Sequence, residues 1–352
     1  MSKKIYKVGI VSCSNMAQRH MDAVRDHLQA ELYMVCDKDK KQLDAVAEKY
    51  GVKHKCTDWH DMVADPKVEI IIVVTPDQLH REITVAALEA GKHVLCEKPM
   101  ALTLDDCRAM CTAAKNAKGK LMVGQICHYA PAFIKAKHLI DKGEIGELFY
   151  VESEYAHDYA LREGADAWRK DPLRHGFLGG GCHAVDLLRW IAGNPTECMA
   201  YANHKMLTEW PTDDCTVAIM KFPKGVIGKV FVAIGCKRDY TMRSVFYGSK
   251  GTIICDNTTP HITVFKTSMG GDDTLMDETK PENRQLYPLQ MPVAVAGHNT
   301  FGEFRDFLKH IIEDTPVTMT AYEGACTVSA ALAAVEAAKR NRPVKPDYNF
   351  DK

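Results

Sequence analysis

The first 124 residues alternate between short apolar strands and amphipathic helices, and this alternation constrains the fold more than any other feature. The clearest strand is the run IIIVV at residues 70–74. Further apolar strands are predicted at residues 7–11, 32–36, 94–96 and 121–123. Helices with apolar residues on one face are predicted at residues 15–29, 40–50, 77–90 and 104–117. Short strands that are apolar throughout indicate a parallel sheet covered on both faces, so residues 1–124 are predicted to form a doubly wound Rossmann domain.

The pattern changes from about Gln125 to one rich in β-strands. Turn sequences at 222–225 (FPKG) and 248–251 (GSKG) lie between apolar runs and predict hairpins in an antiparallel sheet. Polar residues 267–292 predict a long loop, and two helices close the chain at 300–313 and 322–340. Residues 125–352 are therefore predicted to form a second, α+β domain.

Composition excludes several functional classes. The chain has 352 residues with 45 basic and 46 acidic side chains, so no excess positive charge favours nucleic acid. The longest strongly apolar run is far too short to cross a membrane, and the N-terminus resembles a first strand rather than a signal peptide. The 13 cysteines include no CxxC pair and no Cys/His cluster at zinc-finger spacing, which predicts reduced thiols, a cytoplasmic location and no metal site.

The turn after the first strand is a candidate phosphate-binding site. It places Ser12 and Ser14 where a dinucleotide fingerprint has glycines, and the small Ala17 where the pattern requires one. Asp37 ends the second strand, where a carboxylate accepts hydrogen bonds from ribose hydroxyls and repels a 2′-phosphate. We therefore expect NAD, although the neighbouring lysines leave NADP open and Asp37 alone could be an ordinary turn residue.

Two further segments carry candidate chemistry. Lys98 follows the strand at 94–96, at the edge where open α/β sheets bind ligands, although Glu-Lys-Pro is also a common surface turn. His183 follows three glycines at the start of a predicted helix, where a histidine can act as an acid or base. Asp186 lies on the same face and could complement the helix dipole. A capped structural helix is the alternative interpretation.

Taken together, these segments resemble the Gfo/Idh/MocA oxidoreductases, which include glucose–fructose oxidoreductase and inositol dehydrogenase. The motif EAGKHVLCEKP at 89–99 is highly specific, and the segment GGGCHAVDLLRW at 179–190 accompanies it. Other matching segments are VGIVSCSNMA (8–17), VVTPDQLH (73–80), GQICHYAPAF (124–133), IGELFYVE (145–152) and DAWRKDP (166–172). The resemblance implies an N-terminal Rossmann domain that binds NAD(P), and a C-terminal domain whose large open, mostly antiparallel sheet faces a partner in a homodimer or homotetramer.

The resemblance also implies roles for individual residues. Lys98 and His183 correspond to the catalytic pair that flanks the hydroxyl to be oxidised: His183 takes the proton and Lys98 polarises the oxygen. The cofactor contacts correspond to Ser12, Ser14, Asn15, Met16, Asp37, Thr75, Pro76, His80, Glu97, Lys98, Gln125 and Arg169.

One departure from the family pattern concerns the catalytic pair directly. Many members have an aspartate four residues before the histidine, and here that position is Gly179. Candidates to replace this carboxylate, or otherwise to serve the site, are His128, Tyr155, Asp158, Asp171 and His175. A polyol-binding pocket is predicted around Asp186 and the polar and aromatic residues His128, Tyr129, Tyr155, His157, Asp158, Tyr159, Arg162 and His175.

Three functions follow from the sequence. The leading one is a dehydrogenase that transfers a hydride between NAD(P) and a secondary hydroxyl of a sugar, cyclitol or glycoside. The second keeps tightly bound NAD, oxidises a glycoside transiently at C3, eliminates the aglycone and restores the redox state. The third is a non-catalytic sensor on the same fold, which the presence of both Lys98 and His183 disfavours.

Overall fold

The computed structural model describes residues 4–160, 167–266, 288–296 and 298–352. Its first part alternates strands and helices in the predicted way. The bounds are β1 Tyr6–Val11, α1 Asn15–Arg25, β2 Ala30–Cys36, α2 Lys40–Tyr50, β3 His54–Cys56, α3 Trp59–Ala64, β4 Ile70–Val73, α4 His80–Glu89, β5 His93–Glu97, α5 Leu104–Asn116 and β6 Leu121–Gly124.

These six strands form one parallel sheet in the order β3-β2-β1-β4-β5-β6. Every residue of β4 is buried, since helices cover both faces of the sheet. The strand order reverses between β1 and β4. In an open α/β sheet, such a reversal creates a crevice at the carboxyl ends of the strands, and this crevice is the usual ligand site. The predicted Rossmann architecture is confirmed.

The second part contains a larger sheet and the remaining helices. Their bounds are α6 Pro131–Asp141, β7 Leu148–Ala156, α7 Gly176–Gly179, α8 Cys182–Ala192, β8 Glu197–Asn203, β9 Cys215–Lys221, β10 Ile227–Ala233, β11 Thr241–Gly248, β12 Gly251–Asp256, β13 His261–Lys266, β14 Pro288–Pro292, α9 Thr300–Ile312 and α10 Ala321–Arg340. The sheet order is β14-β13-β12-β11-β7-β10-β9-β8. Among the strands that the structure describes in this sheet, only β7 and β10 pair in parallel, so the prediction of a mostly antiparallel sheet is confirmed.

Several predicted boundaries need correction. The first helix ends at Arg25 rather than Gln29. Leu28, which the helical spacing placed on the apolar face, therefore lies beyond the helix and is 95% exposed. The predicted loop at 267–292 contains strand β14, which pairs with β13, while residues 267–287 lie outside the described residues. The sequence interpretation also missed β3 and α3, which are too short to show a clear hydrophobic period.

Helix α9 returns from the C-terminal part of the chain to pack on the Rossmann sheet. Its fully buried Phe304 and Phe307 join the same apolar cluster as Ile10 and Ile72 of the central strands. This packing carries Glu303, on the first turn of α9, into the interior beside the strand β5 edge. Residues more than 200 positions apart in sequence therefore meet at one edge of the sheet.

All 13 cysteines lie within the described residues and are free thiols, as the sequence predicted. Most of them are buried among apolar side chains, where cysteine behaves as a small hydrophobe. In the ranges that the structure describes, none of the helices has the length and apolar character needed to cross a membrane.

Candidate active site

The turn between β1 and α1 forms an open cradle at a helix N-terminus. Ser12 adopts φ +110°, a left-handed conformation that favours glycine, so a serine keeps the backbone path of the fingerprint. Ser14 caps α1, accepting a hydrogen bond from the Ala17 N–H at 3.4 Å. The preceding N–H groups, of Asn15 and Met16, have no acceptor within the helix and are suited to an anionic phosphate. The cradle therefore fits a dinucleotide pyrophosphate.

Asp37 lies beside this cradle. One carboxylate oxygen accepts a hydrogen bond from the Cys13 N–H at 2.7 Å, and the other accepts from the Asp39 N–H at 2.9 Å. The side chain is partly exposed, so its remaining lone pairs can meet a ligand that lies across the turn. The Asp37 carboxylate therefore links the end of β2 to the phosphate-binding turn through its hydrogen bond from Cys13.

His80 is fully buried below the adjoining loops. Its Nδ1 lies 2.9 Å from the Pro99 carbonyl oxygen, and its Nε2 lies 3.0 Å from the Thr75 carbonyl oxygen. Because carbonyls only accept hydrogen bonds, both ring nitrogens must donate, which requires the charged imidazolium. Burial would lower the pKa of His80, but interactions with Cys96, Asp77 and the Pro99 carbonyl raise it to about 9. His80 thus joins the loop after β4, with its Thr75-Pro76 pair, to the loop after Lys98.

We expect this imidazolium to make stability fall at alkaline pH. The folded-state pKa of His80 lies above the unfolded value of about 6.5, so its stabilisation is complete below pH ~6.5 and is lost as the pH rises through about 9. Urea unfolding at pH 6, 7.5 and 9 should show wild type losing about 2–3 kcal/mol more than His80→Gln. His60→Gln, which changes an exposed histidine, is the control and should follow wild type. Parallel pH dependence in wild type and His80→Gln would contradict the charged state.

Glu97 and Lys98 form the end of β5 at the same edge. Glu97 is buried, accepts a hydrogen bond from the Lys98 N–H at 3.1 Å, and pairs with His20 Nε2 at 2.9 Å. Burial opposes ionisation of Glu97, but the His20 hydrogen bond and the Lys98 charge lower its pKa overall. The Lys98 side chain is half-buried next to this carboxylate, and its charge also acts on Glu303 and His183.

Glu303 completes a buried carboxyl pair behind Lys98. Its nearest oxygen lies within 4.8 Å of the ligand atoms of His20 and Glu97, and it is fully buried. Burial, together with the Glu97 charge, raises the pKa of Glu303 well above its usual range. This shift favours the protonated form of Glu303 beside the ionised carboxylate of Glu97.

His183, on the first turn of α8, faces the same region. It is 1% exposed, and its Nδ1 lies 3.4 Å from the Cys127 Sγ. Burial, the Lys98 charge and the His298 charge together lower the pKa of His183 well below its ordinary value. The imidazole is therefore neutral at neutral pH and has a free electron pair that can take a proton.

The sequence signature described as "Oxidoreductase family, NAD-binding Rossmann fold" matches residues 6–125, and the signature "GFO/IDH/MocA C-terminal domain" matches residues 133–254. The chain belongs to the Gfo/Idh/MocA oxidoreductase family. It is 25% identical to inositol 2-dehydrogenase of Salmonella typhimurium over 97% of this chain and 98% of that protein. It is 34% identical to levoglucosan dehydrogenase of Pseudarthrobacter phenanthrenivorans, but over only 42% of this chain and 39% of that protein.

Solved structures share the same architecture. A levoglucosan dehydrogenase in complex with NADH superposes with a TM-score of 0.86 over 98% of this chain and all of that chain, at 22% identity. An oxidoreductase domain protein from Kribbella flavida gives a TM-score of 0.87 over 98% of this chain and all of that chain, at 24% identity. These matches establish the family fold across both sheets.

Arg174 occupies the space next to Gly179, where many family members have an aspartate. A Cβ atom added at Gly179 would lie 2.5 Å from the Arg174 Cζ, so a side chain there would collide with the guanidinium. Arg174 is 3% exposed, and its Nε donates to the Asp77 carboxylate at 2.6 Å. Its guanidinium also lies 4.7 Å from the centroid of the Trp168 ring. The buried guanidinium of Arg174 therefore lies beside position 179, where the family pattern has a carboxylate.

Most of the candidates to replace that carboxylate have other partners. His175 caps α7 through its Nδ1 and lies 3.5 Å from Asp213. Asp158 pairs with Lys237 at 2.9 Å. Asp171 accepts hydrogen bonds from Gln78 and from the Leu173 N–H.

A further candidate, His128, pairs with Asp186, a residue of the predicted polyol pocket. His128 Nε2 lies 2.7 Å from an Asp186 oxygen, and its ring stacks on Trp190 at 4.1 Å. Asp186 also accepts a hydrogen bond from the Thr327 hydroxyl, which ties α8 to α10. These contacts place the pair within the packing of α8, one turn beyond His183.

Tyr155 is the candidate that lies against His183. The two rings are nearly parallel, at 22°, with centroids 6.1 Å apart. Arg169 lies above Trp168, at 4.3 Å, and Gln125 is buried just after β6. Arg162 lies outside the described residues.

The sequence interpretation missed His298, Tyr240 and Glu303. His298 Nε2 lies 3.1 Å from the Tyr240 hydroxyl, and the His298 ring centroid is 5.8 Å from that of His183. None of the three lies in a motif, and each reaches the site through the packing of a distant segment. The signal available in the sequence was the Asn299 cap of α9, which fixes where His298 and Glu303 emerge.

Proposed function

We propose that this protein is an NAD(P)-dependent dehydrogenase that oxidises a secondary hydroxyl of a sugar, cyclitol or glycoside. The observation that carries the proposal is that half-buried Lys98, at the carboxyl end of β5, acts electrostatically on a neutral, buried His183. Inositol and levoglucosan dehydrogenases among the relatives support a polyol substrate.

His183, Lys98 and Glu97 have separate roles in the proposed reaction. The dinucleotide, when bound, supplies the hydride acceptor. His183 Nε2 accepts the hydroxyl proton, because Nδ1 already faces Cys127. Lys98 donates a hydrogen bond to the substrate oxygen and balances the negative charge that develops there. Glu97, held by His20, orients the Lys98 backbone.

We propose that residues 1–124 bind the dinucleotide and that residues 125–352 shape the substrate site. The proposed cofactor contacts are Ser12, Ser14, Asn15, Met16, Asp37, Thr75, Pro76, Glu97, Lys98, Gln125 and Arg169, with His80 supporting two of the loops. The sheet face that carries the exposed side chains Phe149, Tyr201, Ile219 and Ile227 supports a homodimer or homotetramer. The free cysteines support a cytoplasmic location.

Asp37 should set the preference for NAD over NADP. Asp37→Asn keeps an oxygen for the Cys13 N–H but removes the charge that repels a 2′-phosphate. The ratio of kcat/KM for NAD to that for NADP should fall by at least about tenfold. Asp39→Asn, on the exposed cap of α2, is the matched control and should leave the ratio unchanged. An unchanged ratio in Asp37→Asn would show that Asp37 does not contact the ribose of the cofactor.

A substrate screen tests the function. Sugars, inositols and glycosides would be supplied with NAD and with NADP, and formation of the reduced cofactor followed by fluorescence. Reduction that depends on the polyol supports the proposal. Release of an aglycone without net cofactor reduction would instead support the redox-neutral enzyme. Failure of every polyol with both cofactors would overturn the dehydrogenase.

A further inference from the structure

Two cysteines end the neighbouring strands β2 and β3. Cys36 is the last residue of β2, Cys56 is the last residue of β3, and the two are paired in register. Ten of the 13 thiols are buried, and the partly exposed ones are Cys56, Cys215 and Cys236. Cys215 has no cysteine opposite it in β8 or β10. Cys56 thus combines partial exposure with a second thiol on the adjacent strand.

The side chains of Cys36 and Cys56 lie on the same face of the sheet. Cys36 belongs to the apolar cluster that contains Met62, and Cys56 packs against that cluster. Neighbouring strands lie about 4.8 Å apart, and a disulfide accepts Cα separations of about 4.4–6.8 Å. The two thiols also share a hydrogen bond. A disulfide between them therefore requires no change in strand pairing.

The two thiols differ in reactivity. The hydrogen bond from Cys36 lowers the pKa of the Cys56 thiol, which favours the nucleophilic thiolate. The same hydrogen bond, together with burial, raises the pKa of Cys36. Cys36 is 3% exposed, whereas Cys56 is half-buried and accessible to a small solute. Cys56 is therefore suited to react first with an oxidant, and Cys36 to react second.

The backbones of both cysteines are hydrogen-bonded to the phosphate-binding turn or to Asp37. The Cys36 carbonyl oxygen accepts a hydrogen bond from the Ser12 N–H at 2.8 Å, and the Cys56 carbonyl oxygen accepts one from the Asp37 N–H at 3.3 Å. Asp37 follows Cys36 directly, and its carboxylate accepts a hydrogen bond from the Cys13 N–H. A shift of either strand end therefore moves the residues that are proposed to hold the pyrophosphate and the ribose.

We propose that Cys36 and Cys56 are a modification site: a peroxide oxidises them to a reversible disulfide, which weakens dinucleotide binding. Cys56 attacks the O–O bond of the peroxide, which forms a sulfenic acid and releases water or an alcohol. The Cys36 thiol then attacks the sulfenic sulfur, the S–S bond forms, and the sulfenic oxygen leaves as water. The two thiols together lose two electrons and two protons, and the peroxide is reduced.

The loss of affinity follows from the length of the new bond. An S–S bond of about 2.05 Å draws the two sulfur atoms together from hydrogen-bonding distance, so the ends of β2 and β3 move and Asp37 moves with them. This effect rests on the proposed cofactor site, whereas formation of the disulfide does not.

Peptide mass spectrometry tests the disulfide. The reduced protein, treated with hydrogen peroxide and digested, should yield two peptides joined through Cys36 and Cys56, and dithiothreitol should separate them. Cys36→Ala should stop at the Cys56 sulfenic acid, which a sulfenic-specific nucleophile traps. Absence of the joined peptides, or a disulfide between Cys215 and Cys236 in their place, would overturn the proposal.

A fluorescence titration with NADH tests the effect on the cofactor. Peroxide should weaken NADH binding to the wild-type protein by about tenfold or more, and dithiothreitol should restore it. Cys56→Ser should keep its affinity after peroxide treatment. The double variant Cys215→Ser/Cys236→Ser removes the other two partly exposed thiols and should respond as wild type does.

Two outcomes separate this inference from the proposed function. Unchanged NADH affinity in protein that contains the disulfide would overturn the effect on binding. If the reduced protein binds neither NADH nor NADPH, the proposed function fails and the effect on binding fails with it, whereas the joined peptides still decide whether the disulfide forms. If Cys36→Ala does not fold, the loss of the joined peptides in Cys56→Ser identifies the thiol, and their persistence counts against the proposal.

Discussion

Lys98→Met should lower kcat by about a thousandfold, because the variant loses both the hydrogen bond to the reacting oxygen and the charge that balances it. Methionine keeps most of the side-chain volume, so the loop between β5 and α5 should remain folded. Cofactor affinity, measured by fluorescence quenching, should change far less than kcat. Lys41→Met, on the exposed face of α2, is the matched control and should retain full activity.

The same variant should also move the pH profile. The Lys98 charge contributes to lowering the pKa of His183, so its removal lets that pKa rise. Since His183 must be neutral to accept a proton, the acidic limb of the residual kcat should shift to higher pH. A merely structural defect would lower kcat without moving this limb. If kcat stays within tenfold of wild type and the acidic limb of the pH profile does not shift, Lys98 takes no part in the reaction.

Arg174→Met should strongly destabilise the protein. It leaves the Asp77 carboxylate, which is only 5% exposed, without its counter-charge. Breaking one side of a buried ion pair typically costs about 3–5 kcal/mol, because the remaining charge stays desolvated. For a chain of 352 residues, the thermal midpoint should therefore fall by about 4–7 °C.

Two comparisons make that result specific. Arg340→Met removes an arginine from the exposed pair with Glu336 and should leave the midpoint nearly unchanged. The double variant Asp77→Asn/Arg174→Met removes both charges and should recover part of the lost stability. If the double variant is no more stable than Arg174→Met, the loss comes from packing against Trp168 and not from the unpaired charge.

Much of the fold could be read from local patterns. The apolar run at 70–74 indicated a strand buried on both faces, and it became the fully buried β4. The hairpin turn at 248–251 indicated the pairing of β11 with β12, in which Gly248 lies opposite Gly251. Such signals are legible because burial and turn geometry act on neighbouring residues. The predicted loop at 267–292 was wrong at β14, a five-residue edge strand that begins and ends with proline, a residue that is rare in strands.

The sequence by itself determined the Rossmann architecture, the serine-rich turn beside Asp37, and the candidate pair Lys98 and His183, because each lies in a short segment whose residues act together. The sequence also showed that glycine occupies position 179, where many family members have an aspartate. Only the tertiary structure decided what fills that space. Arg174 meets Asp77 across 97 positions, and its guanidinium lies against Gly179. The pairing of such distant residues is set by how helices and sheets pack, which periodicity within one segment does not encode.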